Sequence, residues 1–143
     1  MPHIHDKIDF CAEVFIVHKN TVLLRKHDKY KIWLSVGGHI ELDEDPNEAA
    51  IREVKEEVGL EIELFNKKKT SIINNVNEKG HKISIPPIFV ERIRMTDTHE
   101  HVVLIYFAKS QTNKIVLSDN EKSDGCKWFT WDELGDPKLE VKE

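Results

Sequence analysis

Glu53, Glu56 and Glu57 are the residues of this chain whose type and spacing most clearly invite chemistry. On a helix, a rotation of about 100° per residue gathers the three carboxylates within one arc of about 100°, with Ala49 among them and Arg52 at its edge. Like charges three and four residues apart destabilise a helix by roughly a few tenths of a kcal/mol per pair, and the macrodipole disfavours anions toward the C-terminal end. A divalent cation is the simplest compensation for three crowded carboxylates. Hard oxygen ligands without His or Cys favour Mg²⁺ or Mn²⁺ over Zn²⁺, and Mg²⁺ usually takes one or two carboxylates, keeps several waters and meets substrate phosphates. Taken alone, the stripe also fits a solvated acidic face.

The helix that must carry this stripe announces both ends. Asp45 is a good N-cap, Pro46 suits the first helical position, Glu48 stands where a capping-box acid reaches back, and Gly59 is a C-terminal stop. The spacing places Ala50, Ile51, Val54 and Val58 on its core face. Around it run short β-branched and aromatic segments, read as strands over Asp9 to Val17, Thr21 to Arg25, Lys31 to Val36, Leu60 to Phe65, Lys82 to Ile88 and His101 to Ala108. Weaker strand signals cover Lys114 to Leu117 and Cys126 to Thr130, and His18-Lys19-Asn20 reads as a hairpin turn. This is an α+β pattern with no internal repeat, and residues 1–143 are read as one domain.

Charge is distributed unevenly. The formal net charge is −5, yet residues 41–57 hold eight acids against Arg52 and Lys55, so this segment is −6 and the remainder is +1. The longest apolar run, Val102 to Ala108, is seven residues, far short of the roughly 20 a membrane helix needs, and the first residues carry no apolar signal core. The two cysteines, Cys11 and Cys126, are far apart with no CxxC spacing and are read as reduced thiols of a cytoplasmic protein. The acidic balance argues against stable nucleic-acid binding.

From the glycine pair onward the chain reads Gly38, five residues, Glu44, seven residues, then Arg52-Glu53-Val54-Lys55-Glu56-Glu57-Val58-Gly59-Leu60. This resembles the Nudix box of the MutT-like pyrophosphohydrolases at every defining position, and nine constrained positions over 23 residues form a far more specific signal than an acidic helix alone. The resemblance implies a loop–helix–loop metal site on an α/β/α sandwich around a mixed sheet. It implies that Glu53, Glu56 and Glu57 hold Mg²⁺, or Mn²⁺ in its place, together with the Gly38 carbonyl. Arg52 is then expected to pair with carboxylates including Glu44. The implied activity is hydrolysis of a diphosphate bond in a nucleoside diphosphate linked to another group, releasing a nucleoside monophosphate. The general base is either Glu53 or a carboxylate outside the box.

Further candidates follow from the resemblance and from side-chain chemistry. Family members often add an acid shortly before a Trp-Phe pair, which here points to Glu121 or Asp124 ahead of Trp128-Phe129, with Glu100 as a more distant option. Trp33, Phe89 and Tyr106 could stack on a base or pack in the core. Arg25, with Lys26, Lys29 and Lys31, could meet substrate phosphates or line a solvated hairpin. His99-Glu100-His101 has the spacing that puts both imidazoles on one side of a strand, where they could touch metal or phosphate, although a turn leading into the Val102 strand is the plainer reading. Val36 stands where the family commonly has proline. The closing helix after Trp128-Phe129 is expected to be very short or to extend beyond Glu143. The expected partner is a small nucleotide, with no membrane, and a homodimer is compatible with the resemblance. Two other classes fit the same resemblance less well: a non-catalytic Nudix-fold nucleotide-binding or regulatory domain, which usually shows an eroded box, and isomerase chemistry on the same fold, which needs a catalytic Cys in a context that Cys11 and Cys126 lack.

Overall fold

The computed structural model describes residues 4–27, 29–66, 79–117 and 123–136. The first strand, β1 (Ile8–His18), alternates strictly enough that Ala12, Val14 and Ile16 are buried on one face while Cys11 is buried on the other. A two-residue turn at Lys19-Asn20, with Lys19 in the left-handed region (φ 52), pairs His18 with Thr21 and starts β2 (Thr21–His27). The chain continues through β3 (Trp33–Leu34), β4 (Val36–His39), α1 (Pro46–Val58), β5 (Ile62–Leu64), β6 (Phe89–Arg94), β7 (Glu100–Ser110), β8 (Ser123–Thr130) and α2 (Trp131–Leu134). Among the described residues, eight strands form one mixed sheet, the α+β architecture expected.

The backbone of this sheet is the parallel pair β1 and β7, in register from Ile8 beside Glu100 to Val17 beside Lys109. On its other edge β1 meets β4 antiparallel over Cys11 to Val14 and β2 over Ile16 to His18. The far edge of β7 takes β6 and then β5, and β2 adds β3 and β8. Helix α1 covers one face. Its Ala49, Ala50, Val54 and Val58 pack with Ala12, Val14, Ile16, Val36, Leu64, Tyr106 and Ala108. Burying a side chain the size of Val54 stabilises the fold by roughly 1.5–3 kcal/mol. The opposite face has a smaller cluster of Cys11, Val103 and Ile105, flanked by Phe15 and Ile93.

Both ends of α1 form as their residue types dictate. Glu48 N–H donates to Asp45 Oδ1 at 2.9 Å and Asp45 N–H to Glu48 Oε2 at 3.1 Å, a complete capping box, and Gly59 closes the helix with φ 69. Asn47 then brackets a distant segment, donating to the Ile85 carbonyl at 3.0 Å and accepting from Ile85 N–H at 2.7 Å.

Several boundaries differ from expectation. The strand anticipated over Lys82 to Ile88 is replaced by an isolated bridge at 82–83, and β6 begins only at Phe89, because Pro86 and Pro87 have no N–H for a ladder. The strand anticipated from Lys31 starts at Trp33, since Lys31 takes a left-handed conformation (φ 57), and it resumes after Ser35 as β4 through His39. Residues 114–117 form no strand; Val116 N–H instead donates to the Val58 carbonyl at 2.9 Å. Ile51, expected in the core, is 40% exposed, and the buried stripe of α1 is rotated toward Ala49, Glu53 and Glu57. Among the described residues, the helix after Phe129 is α2, a single turn capped by Thr130 and Glu133. No helix among the described residues is long and apolar enough to cross a membrane.

Candidate active site

The sequence places the glutamates on one stripe of α1, and the sheet decides what each one meets. The β4 strand lies against α1, so Gly38 comes up directly under Glu53: a Cβ added at Gly38 would stand 2.5 Å from Glu53 Oε1 and 2.6 Å from its Cδ. Any residue with a side chain would displace the carboxylate, which gives this position its physical reason to be glycine. Glu53 itself is buried, as is Glu57, whose Oε1 lies 3.7 Å from Arg25 Nη1 on β2. Glu56 turns outward, with its side chain 60% exposed. The stripe therefore has a dry inner edge of Glu53 and Glu57 and a wet outer edge at Glu56.

Arg52 organises the surroundings. Its Nε donates to both oxygens of Glu44, at 3.2 and 3.0 Å, and its Nη2 to Glu44 Oε1 at 2.6 Å. Nη2 also donates to the His39 carbonyl at 3.0 Å, and Nη1 reaches Glu53 Oε1 at 2.9 Å and Glu56 Oε2 at 3.1 Å. One planar guanidinium thus ties the loop after β4, the end of β4 and two helix carboxylates into a fixed arrangement, which a point-charge ammonium could not do. Glu44 Oε1 additionally accepts the Glu41 N–H at 2.9 Å. The Arg52 hydrogen bond holds the Glu44 carboxyl below its ordinary value despite opposing burial, and the same bond raises Arg52. At the helix start, burial raises Asp45, but the Lys82 hydrogen bond and the Glu48 N–H outweigh it and hold the group low.

Glu44, Glu53, Glu56 and Glu57 carry four formal negative charges against the two of Arg25 and Arg52. The excess of two, presented by oxygen donors partly in a dry setting, suits a divalent cation. The close approach of the Gly38 backbone to Glu53 completes a cradle of that kind.

Other expected residues fall in different places. Arg25 joins the site through Glu57, a contact that sequence spacing gave no means of anticipating. The half-buried ring of Trp33 meets Phe129 edge-on at 4.8 Å between centroids, and Lys26 Nζ lies 5.8 Å from its ring centre. Tyr106 is a core residue, 2% exposed, and Phe89 is an exposed residue of β6. Glu121 lies outside the described residues. Near the loop that carries Glu44, a cavity of about 370 Å³ is lined by Phe10, Ile40, Glu41, Leu42, Pro46 and Leu104, among others.

The NUDIX domain family model matches residues 11–143. A hydrolase of the NUDIX family from Clostridium perfringens is 35% identical, the match covering 94% of this chain and 89% of that one with a TM-score of 0.82. A MutT NUDIX hydrolase from Burkholderia pseudomallei shares the fold at 19% identity, covering 92% of this chain and 89% of its own, with a TM-score of 0.66.

Proposed function

The chain belongs to the Nudix family of hydrolases, and from that premise we propose that it cleaves the diphosphate bond of a nucleoside diphosphate linked to a further group, releasing a nucleoside monophosphate. The reading takes residues 1–143 as one Nudix domain. The observation that carries it is the joint arrangement of Gly38, Arg52 and Glu53: an unsubstituted backbone pressed against a buried carboxylate that a guanidinium holds in place.

In this reading Glu53, Glu56 and Glu57, with the Gly38 carbonyl, hold Mg²⁺, for which Mn²⁺ can substitute. When bound, the ion neutralises the diphosphate and lowers the pKa of an attacking water. The protein's own groups do the rest. Arg52 keeps Glu53 and Glu56 aimed and pins the Glu44 loop, so the carboxylates are ordered before substrate arrives. Arg25 steadies Glu57 from the β2 side. Glu53, or a carboxylate outside the box, accepts the proton of the attacking water. The cavity beside the Glu44 loop, with Phe10, Ile40 and Leu104 on its wall, offers apolar surface for the nucleoside.

The test is a Mg²⁺-supplemented panel of nucleoside triphosphates, oxidised triphosphates, ADP-ribose, dinucleoside polyphosphates and NADH, followed by nucleoside monophosphate release. Turnover of at least one class with a monophosphate product is expected. Silence across the panel, accompanied by ligand-induced thermal shifts, would favour a nucleotide-binding domain instead.

A further inference from the structure

On the sheet face opposite α1, five potential metal ligands converge that the hydrolase reading does not use. Strand pairing assembles them. Parallel register sets Asp9 on β1 beside His101 on β7, and antiparallel register sets Cys11 on β1 beside His39 on β4. His99 enters from just before β7. The cluster is largely buried: Asp9 is 0% exposed, His39 and His99 5% each and Cys11 6%, with His101 half-buried. The ligand atoms of Asp9, His99 and His101 lie within 4.8 Å of one another, as do those of Cys11, His39 and His101.

We propose that Asp9, His99 and His101, with His39 and Cys11 beside them, form a buried Zn²⁺ site, distinct from the glutamate stripe in face, ligand chemistry and metal preference. Three observations carry it. First, Asp9 Oδ2 stands 3.2 Å from His99 Nε2 and 3.5 Å from His39 Nε2. Ligand atoms on a tetrahedron with bonds of about 2.0–2.1 Å are separated by about 3.3–3.4 Å, so both distances are those of adjacent zinc ligands.

Second, the outward-facing atoms of the cluster are already engaged in the manner of metal-ligand supports. His99 Nδ1 lies 3.1 Å from the Asp6 carbonyl, which can only accept, so Nδ1 donates there and Nε2 is the nitrogen that faces Asp9. Asp9 Oδ1 accepts the backbone N–H groups of Ile4 at 3.1 Å and His5 at 2.8 Å, leaving Oδ2 directed at the imidazoles. Third, the rings of His39 and His99 each lie edge-on to His101, with centroids 5.1 and 5.2 Å away. Imidazole with carboxylate suits Zn²⁺, whereas the all-oxygen stripe on α1 suits Mg²⁺.

The burial of Asp9 and His99 suits a structural site. Bound metal would join β1 to β7, with His39 of β4 against Asp9. His39 gives it a route to the active site, because its side chain belongs to this cluster while its carbonyl accepts from Arg52 and its chain neighbour is Gly38.

The full-length protein, freed of metal by chelation and dialysed, is titrated with Zn²⁺ and separately with Co²⁺. The expected result is one tightly held equivalent of Zn²⁺, a rise in Tm, and with Co²⁺ the intense visible bands of a tetrahedral ion. All three should persist in a Glu56→Gln/Glu57→Gln variant, which separates this site from the glutamates. They should disappear in His101→Gln and in Asp9→Asn. Absence of a stoichiometric Zn²⁺ equivalent and of tetrahedral Co²⁺ bands in the wild-type protein would overturn the proposal and leave a buried Asp–His ion pair. Loss of the equivalent in the glutamate variant would overturn it equally. Because the wild-type titration is decisive, a histidine variant that fails to fold does not rescue the idea.

Discussion

Gly38 and Glu53 approach so closely that no Cβ fits between them: the nearest carboxylate oxygen would lie 2.5 Å from it. Substituting Gly38→Ala must push the Glu53 carboxylate off the position Arg52 holds. Displacements of about 1 Å at a reacting centre can lower rates by roughly 10²-fold, and a loss of that order in kcat is expected. Steady-state kinetics, with circular dichroism showing a retained fold, measures it.

Removing charge from the stripe should separate catalysis from stability. Glu56→Gln and Glu57→Gln are each expected to reduce kcat by orders of magnitude. Glu56 is exposed, so its variant should melt at the wild-type Tm, whereas Glu57 is buried beside Arg25 and its variant should shift Tm. Near-normal turnover in both would sink the assignment of these residues to the metal.

Arg52→Lys keeps the charge and loses the fork. The lysine cannot span Glu44, Glu53, Glu56 and the His39 carbonyl at once. Lost charge-assisted hydrogen bonds are worth about 1.5–3 kcal/mol, so denaturant melts should show a destabilisation of that order along with reduced kcat. A variant as stable and active as wild type would contradict Arg52 as the organiser of the loop.

Acid should weaken the same connection in a defined direction. Arg52 holds the folded Glu44 carboxyl below its ordinary value of 4.5, so the bond stabilises the fold above that pH and its contribution is lost as pH falls through the depressed pKa. The Tm gap between wild type and Glu44→Gln should therefore be full at neutral pH and close under strongly acidic conditions. A gap that widens on acidification would contradict the sign.

The rotation of α1 is testable by comparing neighbours. Val54→Ala empties a fully buried position and should destabilise by roughly 1.5–3 kcal/mol, while Ile51→Ala, at a site 40% exposed, should have a clearly smaller effect. Equal losses in urea melts would restore Ile51 to the core.

The helix with its caps, its glutamate stripe and Arg52 were legible in the chain, because each depends on residues within a few positions of one another, whereas the place of Gly38 under Glu53 was implied only by the family resemblance. A 3.6-residue repeat, an N-cap three residues from its acid and a left-handed glycine are short-range facts. The exact buried face was less legible: Ile51 follows the apolar pattern, yet the placement of β4 and β1 turns Glu53 and Glu57 inward in its stead. Tertiary structure alone decided that Arg25 meets Glu57, that Trp33 packs on Phe129, and that the sheet continues at Phe89 after the prolines. It also decided the histidine cluster. His99 and His101 are readable as a pair, but Asp9, Cys11 and His39 join them only through the registers of β1 with β7 and β4, and such registers are set by the packing of the whole sheet, with no local mark in the sequence.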